Sequence, residues 1–148
     1  MKSALFLRIA SVLTVVHAVL HTIGGVFGSI QPGPATVAVT AMKANQFMAM
    51  GHLRSYWDFF RGMGLAMTIA MMMEAIVMWQ LGALAKTEAA RLRPITATFL
   101  VGYLVLSVNS NRYFFSGPVI VEIVIALCLA AAIGTAKAPV RAVRPAIA

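Results

Sequence analysis

Residues 118–136, PVIVEIVIALCLAAAIGTA, carry one charged side chain, Glu122. Residues 9–28, IASVLTVVHAVLHTIGGVFG, carry no lysine, arginine or acid at all. Uncharged apolar runs of about 18 residues or more are long enough to cross the hydrocarbon of a bilayer as helices. This feature constrains the chain most, because such segments cannot all be hidden inside a protein of 148 residues. Only 11% of residues are charged and 61% are hydrophobic, whereas a soluble domain is roughly a quarter charged. The expected fold is therefore all-α, an integral-membrane antiparallel bundle of four transmembrane helices forming one domain over residues 1–136.

Punctuation sets the expected boundaries. The first span, residues 9–28, ends in Gly24, Gly25 and Gly28, followed by Pro32-Gly33-Pro34, a strong stop. A basic start gives this segment the look of a signal peptide, but Arg8 interrupts it and no clean small-residue cleavage site comes after it. The second span covers residues 56–84, the third 94–111, with Pro94 at a first turn, and the fourth 118–136. Between the first two lies the longest connection. Its middle, ATVAVTAMKANQFMAM, is apolar enough to lie on a bilayer surface and too polar around Lys43 and Asn45 to cross, so a short interfacial helix is expected within residues 35–50. Residues 137–148 read as a basic cytoplasmic tail.

The net charge of +8 raises the question of nucleic acid. The cations flank apolar runs instead of forming a stripe interleaved with aromatics, so no nucleic-acid partner is expected; the bilayer is the partner they imply. Lys2, Arg8, Lys86, Arg91, Arg93, Lys137, Arg141 and Arg144 fall on one side of the spans, and Lys43, Arg54, Arg61 and Arg112 on the other. That asymmetry puts both termini in the cytoplasm. The single Cys128 rules out an intrachain disulfide.

Ionisable groups inside spans need a partner or a wet cavity. His17, His21, Trp57, Asp58, Arg61, Asn109, Arg112 and Glu122 all fall toward the outer ends of their spans and form the expected ligand-binding cluster. On an ideal helix Ala10, Thr14, His17, His21, Gly24 and Gly28 share one small or polar stripe, which turns both histidines inward. Asp58 is four residues from Arg54 and three from Arg61, spacings that allow ion pairs, and Trp57 stands four residues before Arg61. Glu74, sixteen residues beyond Asp58, lies deeper and on another face. A structural network of ion pairs and hydrogen bonds is one reading of the cluster. A metal held by His17 and His21 is a second, with haem less suited because two histidines on one helix face cannot bind opposite sides of a ring. A pocket for a quinone or another lipid-like molecule is a third. Gly62, Gly64 and Gly102 read as close-packing positions.

Taken together, HTIGGVFG, AMKANQFMAMGHLRSYWDFFRGMGL and RYFFSGPV resemble a family of small bacterial four-span membrane proteins with no assigned activity. The architecture is also similar, more distantly, to DoxX-like four-helix membrane proteins, some of which are tied to quinone or respiratory chemistry. The resemblance implies a bacterial cytoplasmic (inner) membrane and transfers no catalytic residue. The expected role is that of a binding or accessory subunit with a membrane-protein partner or a second copy of itself. The alternative is a membrane oxidoreductase or isomerase acting on a quinone or lipid-like substrate, dependent on a metal or haem in one form of that reading.

Overall fold

A computed structural model describes residues 2–137; the expected basic tail, Lys137 excepted, lies outside them. The described chain is mostly helical. In order it forms α1 (Lys2–Leu20), a π-helical turn (His21–Val26), α2 (Pro34–Ala44), strands β1 (Gln46–Ala49) and β2 (His52–Ser55), α3 (Tyr56–Glu88), α4 (Arg93–Tyr113) and α5 (Ser116–Gly134). Among the described residues, three helical segments are long and apolar enough to cross a membrane: α1 with its π-turn, α3 and α5. The third expected span, α4, is not among them, because Thr96, Thr98, Ser107, Asn109, Ser110 and Arg112 dilute its apolar character.

Local sequence explains most boundaries. Pro34 and Pro94 sit in the first turns of α2 and α4, where a missing N–H costs no helical bond. The surface helix expected within residues 35–50 stops at Asn45, whose N–H bonds Ala41 O at 3.0 Å. The chain then forms an antiparallel hairpin, Gln46 opposite Ser55 and Ala49 opposite His52. Met50 and Gly51 turn it, both with positive φ (47° and 85°), the signs that a two-residue mirror-image turn requires. Phe47 folds from β1 onto Tyr56 and Phe59 at the start of α3.

By contact the chain divides into two compact units, one of residues 1–14 with 74–148 and one of residues 15–73. In the first unit, segments of four helices share a core. Ala4, Leu7 and Ala10 of α1 join Met78 and Leu81 of α3, Tyr103 of α4, and Ile125 and Leu129 of α5. Gly82 allows α1 close: a Cβ there would stand 3.0 Å from Arg8 Cγ and 3.3 Å from Ala4 O. Helices α4 and α5 are joined only by Phe114–Phe115, so α5 turns back along α4.

The helix faces are inverted relative to a water-soluble protein. In α4 the buried residues are Thr96, Tyr103, Ser107 and Ser110, while Val105 is 62% and Val108 71% exposed. In α1, Ser3, Ser11 and Thr14 are buried and Leu5, Val12 and Leu20 are exposed. Large aliphatics outward with small and polar residues inward is the pattern of helices that pack against one another in lipid.

Candidate functional site

The expected cluster is distributed over both units. His17, His21, Trp57, Asp58 and Arg61 belong to the unit of residues 15–73, and Asn109, Arg112 and Glu122 to the other.

In the first unit the polar groups form a hydrogen-bonded core. Tyr103 Oη of α4 donates to Glu74 Oε2 of α3 at 3.0 Å and lies 3.0 Å from Thr14 Oγ1 of α1, which bonds back to Ala10 O. Ser11 Oγ donates to Ala75 O at 2.7 Å, tying α1 to α3. Ser110 Oγ donates to Glu122 Oε1 at 2.8 Å, tying α4 to α5. Glu122 is only 4% exposed, and its Oε2 is buried without a hydrogen-bond partner among the described residues. Such an atom costs about 1–3 kcal/mol when left unpaired, so it marks a place where a proton or a ligand group would be welcome. No cation serves Glu74 or Glu122: among the described residues the sole ion pair is Arg91–Glu88, exposed at both ends. Glu74 therefore sits in a bonded environment apart from Asp58. Asn109 and Arg112 are exposed and point away from the core. The α4 residues that meet Glu122 and Glu74 are Ser110 and Tyr103, which the expected cluster leaves out. A signal for them exists: Tyr103, Ser107 and Ser110 stand at i, i+4 and i+7.

In the second unit a seam runs between the end of α1, with its π-turn, and α3. Thr22 Oγ1 donates to Ala18 O at 2.7 Å and lies 2.9 Å from Thr68 Oγ1. His21 Nε2 lies 3.1 Å from Gly64 O. A carbonyl only accepts, so Nε2 carries the proton in this bond. Gly64 brings the two segments together, since a Cβ there would meet Val26 Cγ2 at 2.8 Å. Gly62 and Gly102, expected to serve the same way, have open space around them.

The π-turn changes which face packs. Phe27 N bonds Thr22 O, five residues back, so the turn is wider than an α-helical one. Ala18, ahead of the turn, and Val26, at its end, are buried, with His17, His21 and Thr22 half-buried and Gly24 and Gly28 exposed. His17 Nδ1 is buried without a partner among the described residues. Among the described residues no three His, Cys, Asp or Glu side chains converge as a metal-binding group.

Asp58 does not form the ion pairs that its spacing from Arg54 and Arg61 allows. Its Oδ2 accepts the Ser55 N–H and hydroxyl, each at 2.8 Å, while Ser55 Oγ accepts the Asp58 N–H at 3.2 Å. This reciprocal pair is a capping box with aspartate at its third position. The helix start wins because it satisfies two backbone N–H groups that would otherwise lack partners, whereas an exposed ion pair contributes little. The cations turn to rings instead. Arg61 lies over Phe27 at 4.6 Å and Lys43 over Trp57 at 5.2 Å, with Trp57 stacked on Phe60. In the first unit Arg8 covers Trp79 at 4.9 Å.

No protein-family model, curated protein or solved structure matches the chain. The functional reading rests on the geometry.

Proposed function

We propose that the chain is a small integral membrane protein whose four transmembrane helices, α1 with its π-turn, α3, α4 and α5, form an antiparallel bundle, and that it serves as a binding or accessory subunit in a bacterial cytoplasmic membrane. The observation that carries this reading is the inverted face of α4, with Tyr103, Ser107 and Ser110 inside and Val105 and Val108 outside. In water that arrangement would expose apolar surface and bury hydroxyls, both unfavourable. In hydrocarbon it satisfies the hydroxyls and leaves the aliphatics solvated by lipid. The same argument lets α4 span despite its modest hydropathy. In this reading α2, which buries none of its residues, lies with the hairpin at the outer interface, and both termini are cytoplasmic.

An accessory role follows from α3. Its apolar window is only 11% buried, so a long face remains for lipid, a partner helix or a second copy. The test is extraction followed by gentle solubilisation. The reading expects the chain to stay with membranes through alkaline carbonate and to elute from mild detergent with a partner or as a stable oligomer. Release by carbonate would sink the membrane reading. A carbonate-resistant chain that is monomeric and alone at all concentrations would sink the subunit reading.

The oxidoreductase or isomerase reading has one observation in its favour. Half-buried Glu74 bonded to Tyr103, and the partnerless Oε2 of buried Glu122, are acid–base groups of the kind such a reaction would use. A co-purified quinone, a Soret band or stoichiometric metal lost in the His17→Ala/His21→Ala double variant would support it. A colourless, ligand-free protein in which that variant loses only thermal stability would remove it.

A further inference from the structure

We propose that the seam between the π-turn and α3 is a binding site for one anionic phospholipid, with an acyl chain in the groove and the phosphate on Arg61. The inference rests on the membrane reading and adds to it a ligand class and a residue that recognises it.

The groove is lined by Ala18, Val19, Thr22, Ile23, Thr68 and Met72 and holds about 170 Å³. That is below the roughly 300–1,000 Å³ of pockets that enclose whole small molecules, and it suits a stretch of flexible chain. Its two hydroxyls offer a ligand no donor. Thr22 is engaged with Ala18 O and Thr68, and Thr68 with Thr22 and Gly64 O. The groove is therefore faced with methyl and methylene surface, which a hydrocarbon chain matches and a polar molecule does not.

One end of the groove is cationic. Arg61 precedes Thr68 by seven residues, two turns along the same face of α3 and about 10 Å away along its axis. Phe27, the ring beneath Arg61, comes four residues after Ile23 of the groove wall. Apolar lining and guanidinium are thus successive parts of one seam. Arg61 has no carboxylate within ion-pair distance among the described residues. Asp58, the unit's only acid, is held by Ser55, and the unit carries three cations, Lys43, Arg54 and Arg61. A guanidinium resting on an aromatic ring keeps its N–H fork available, and that fork matches phosphate oxygens. A quinone would use the groove and leave this charge unanswered.

The test is native mass spectrometry of the full chain purified in mild detergent, titrated with phosphatidylglycerol and with phosphatidylcholine of the same acyl chains. One lipid per chain is expected, with phosphatidylglycerol preferred about tenfold, because the phosphate of phosphatidylcholine is already neutralised by its own choline cation and gains less from Arg61. Arg61→Gln should reduce that preference to about twofold, whereas Arg54→Gln should leave it intact. Val19→Trp, placed on the exposed rim, should weaken both lipids alike. If Val19→Trp alters folding, judged by elution and by its thermal unfolding, the Arg61→Gln result decides alone. Equal binding of the two lipids by the unaltered chain, a preference that survives Arg61→Gln, or displacement of phosphatidylglycerol by a quinone with equal effect in Arg61→Gln would each overturn the site. A chain that resists carbonate and shows no preference loses only this site; one released by carbonate loses the membrane reading beneath it.

Discussion

The two units solve the problem of polar groups among apolar helices in opposite ways. In its core the unit of residues 1–14 and 74–148 closes polar groups on one another: half-buried Glu74 on Tyr103, Glu122 on Ser110, Ser11 on a carbonyl of α3, with Arg91–Glu88 left exposed at its surface. The unit of residues 15–73 leaves its charges at the surface, resting on aromatic faces or capping a helix, and its seam opens into a groove. The difference teaches that one sequence can satisfy polar groups either by closing them on one another or by spending them on a helix start and on aromatic faces. Elements held by few buried contacts are the ones that open locally.

This contrast can be broken most directly at Gly82. Gly82→Leu pushes a side chain into Arg8 and the Ala4 carbonyl, and overpacking of this kind costs about 3 kcal/mol. Cys128, the only thiol, borders the first unit's core, so maleimide labelling during heating should begin at a markedly lower temperature. Unchanged labelling would mean that the core is not closed as described. Tyr103→Phe removes the hydroxyl shared by Glu74 and Thr14, for an expected loss of about 2 kcal/mol. The same thiol assay reads it, and a loss near zero would show that the network is dispensable.

Smaller effects should appear in the second unit alone. Ser55→Ala removes a cap, typically about 1 kcal/mol. In a Trp79→Phe background it should lower the melting of Trp57 fluorescence and leave Cys128 labelling where it was. A shift in both probes would make the two units one cooperative body. Met50→Asn should stabilise the hairpin by about 0.5 kcal/mol, because asparagine tolerates the left-handed conformation that methionine adopts there. Slower amide exchange at Phe47 and Arg54, a hydrogen-bonded pair of the ladder, would register it, and faster exchange would exclude that turn geometry.

Much of the helix pattern is legible in the sequence. The runs that form α1, α3 and α5 announce themselves by length and lack of charge, and the Phe114–Phe115 turn by aromatics followed by Gly117-Pro118. The hairpin is hidden because Phe47, Met48 and Ala49 continue a helix-compatible composition, and the break rests on Asn45 and Gly51 alone. The polar contacts are less legible than the helices. Spacing puts Asp58 within reach of Arg54 and Arg61 but cannot weigh those pairs against a capping box written in the same four residues, SYWD. The stripe that runs from the histidines to Gly24 and Gly28 assumes 3.6 residues per turn, and the π-turn at HTIGGV breaks that assumption for its glycine end. Tyr103, Ser107 and Ser110 share a helix face by their spacing, but nothing local says that α4 turns that polar face inward.

That inward face bears on how the chain is made. Under the proposed membrane reading, α4 alone would present four polar side chains to hydrocarbon with no partner, and α5 alone would present Glu122. Each supplies what the other lacks, across a two-residue link. They are therefore best suited to leave the translocation channel together, as a helical hairpin. In that reading, a channel holding α4 would release it into lipid only once Glu122 of α5 had emerged from the ribosome beside Ser110.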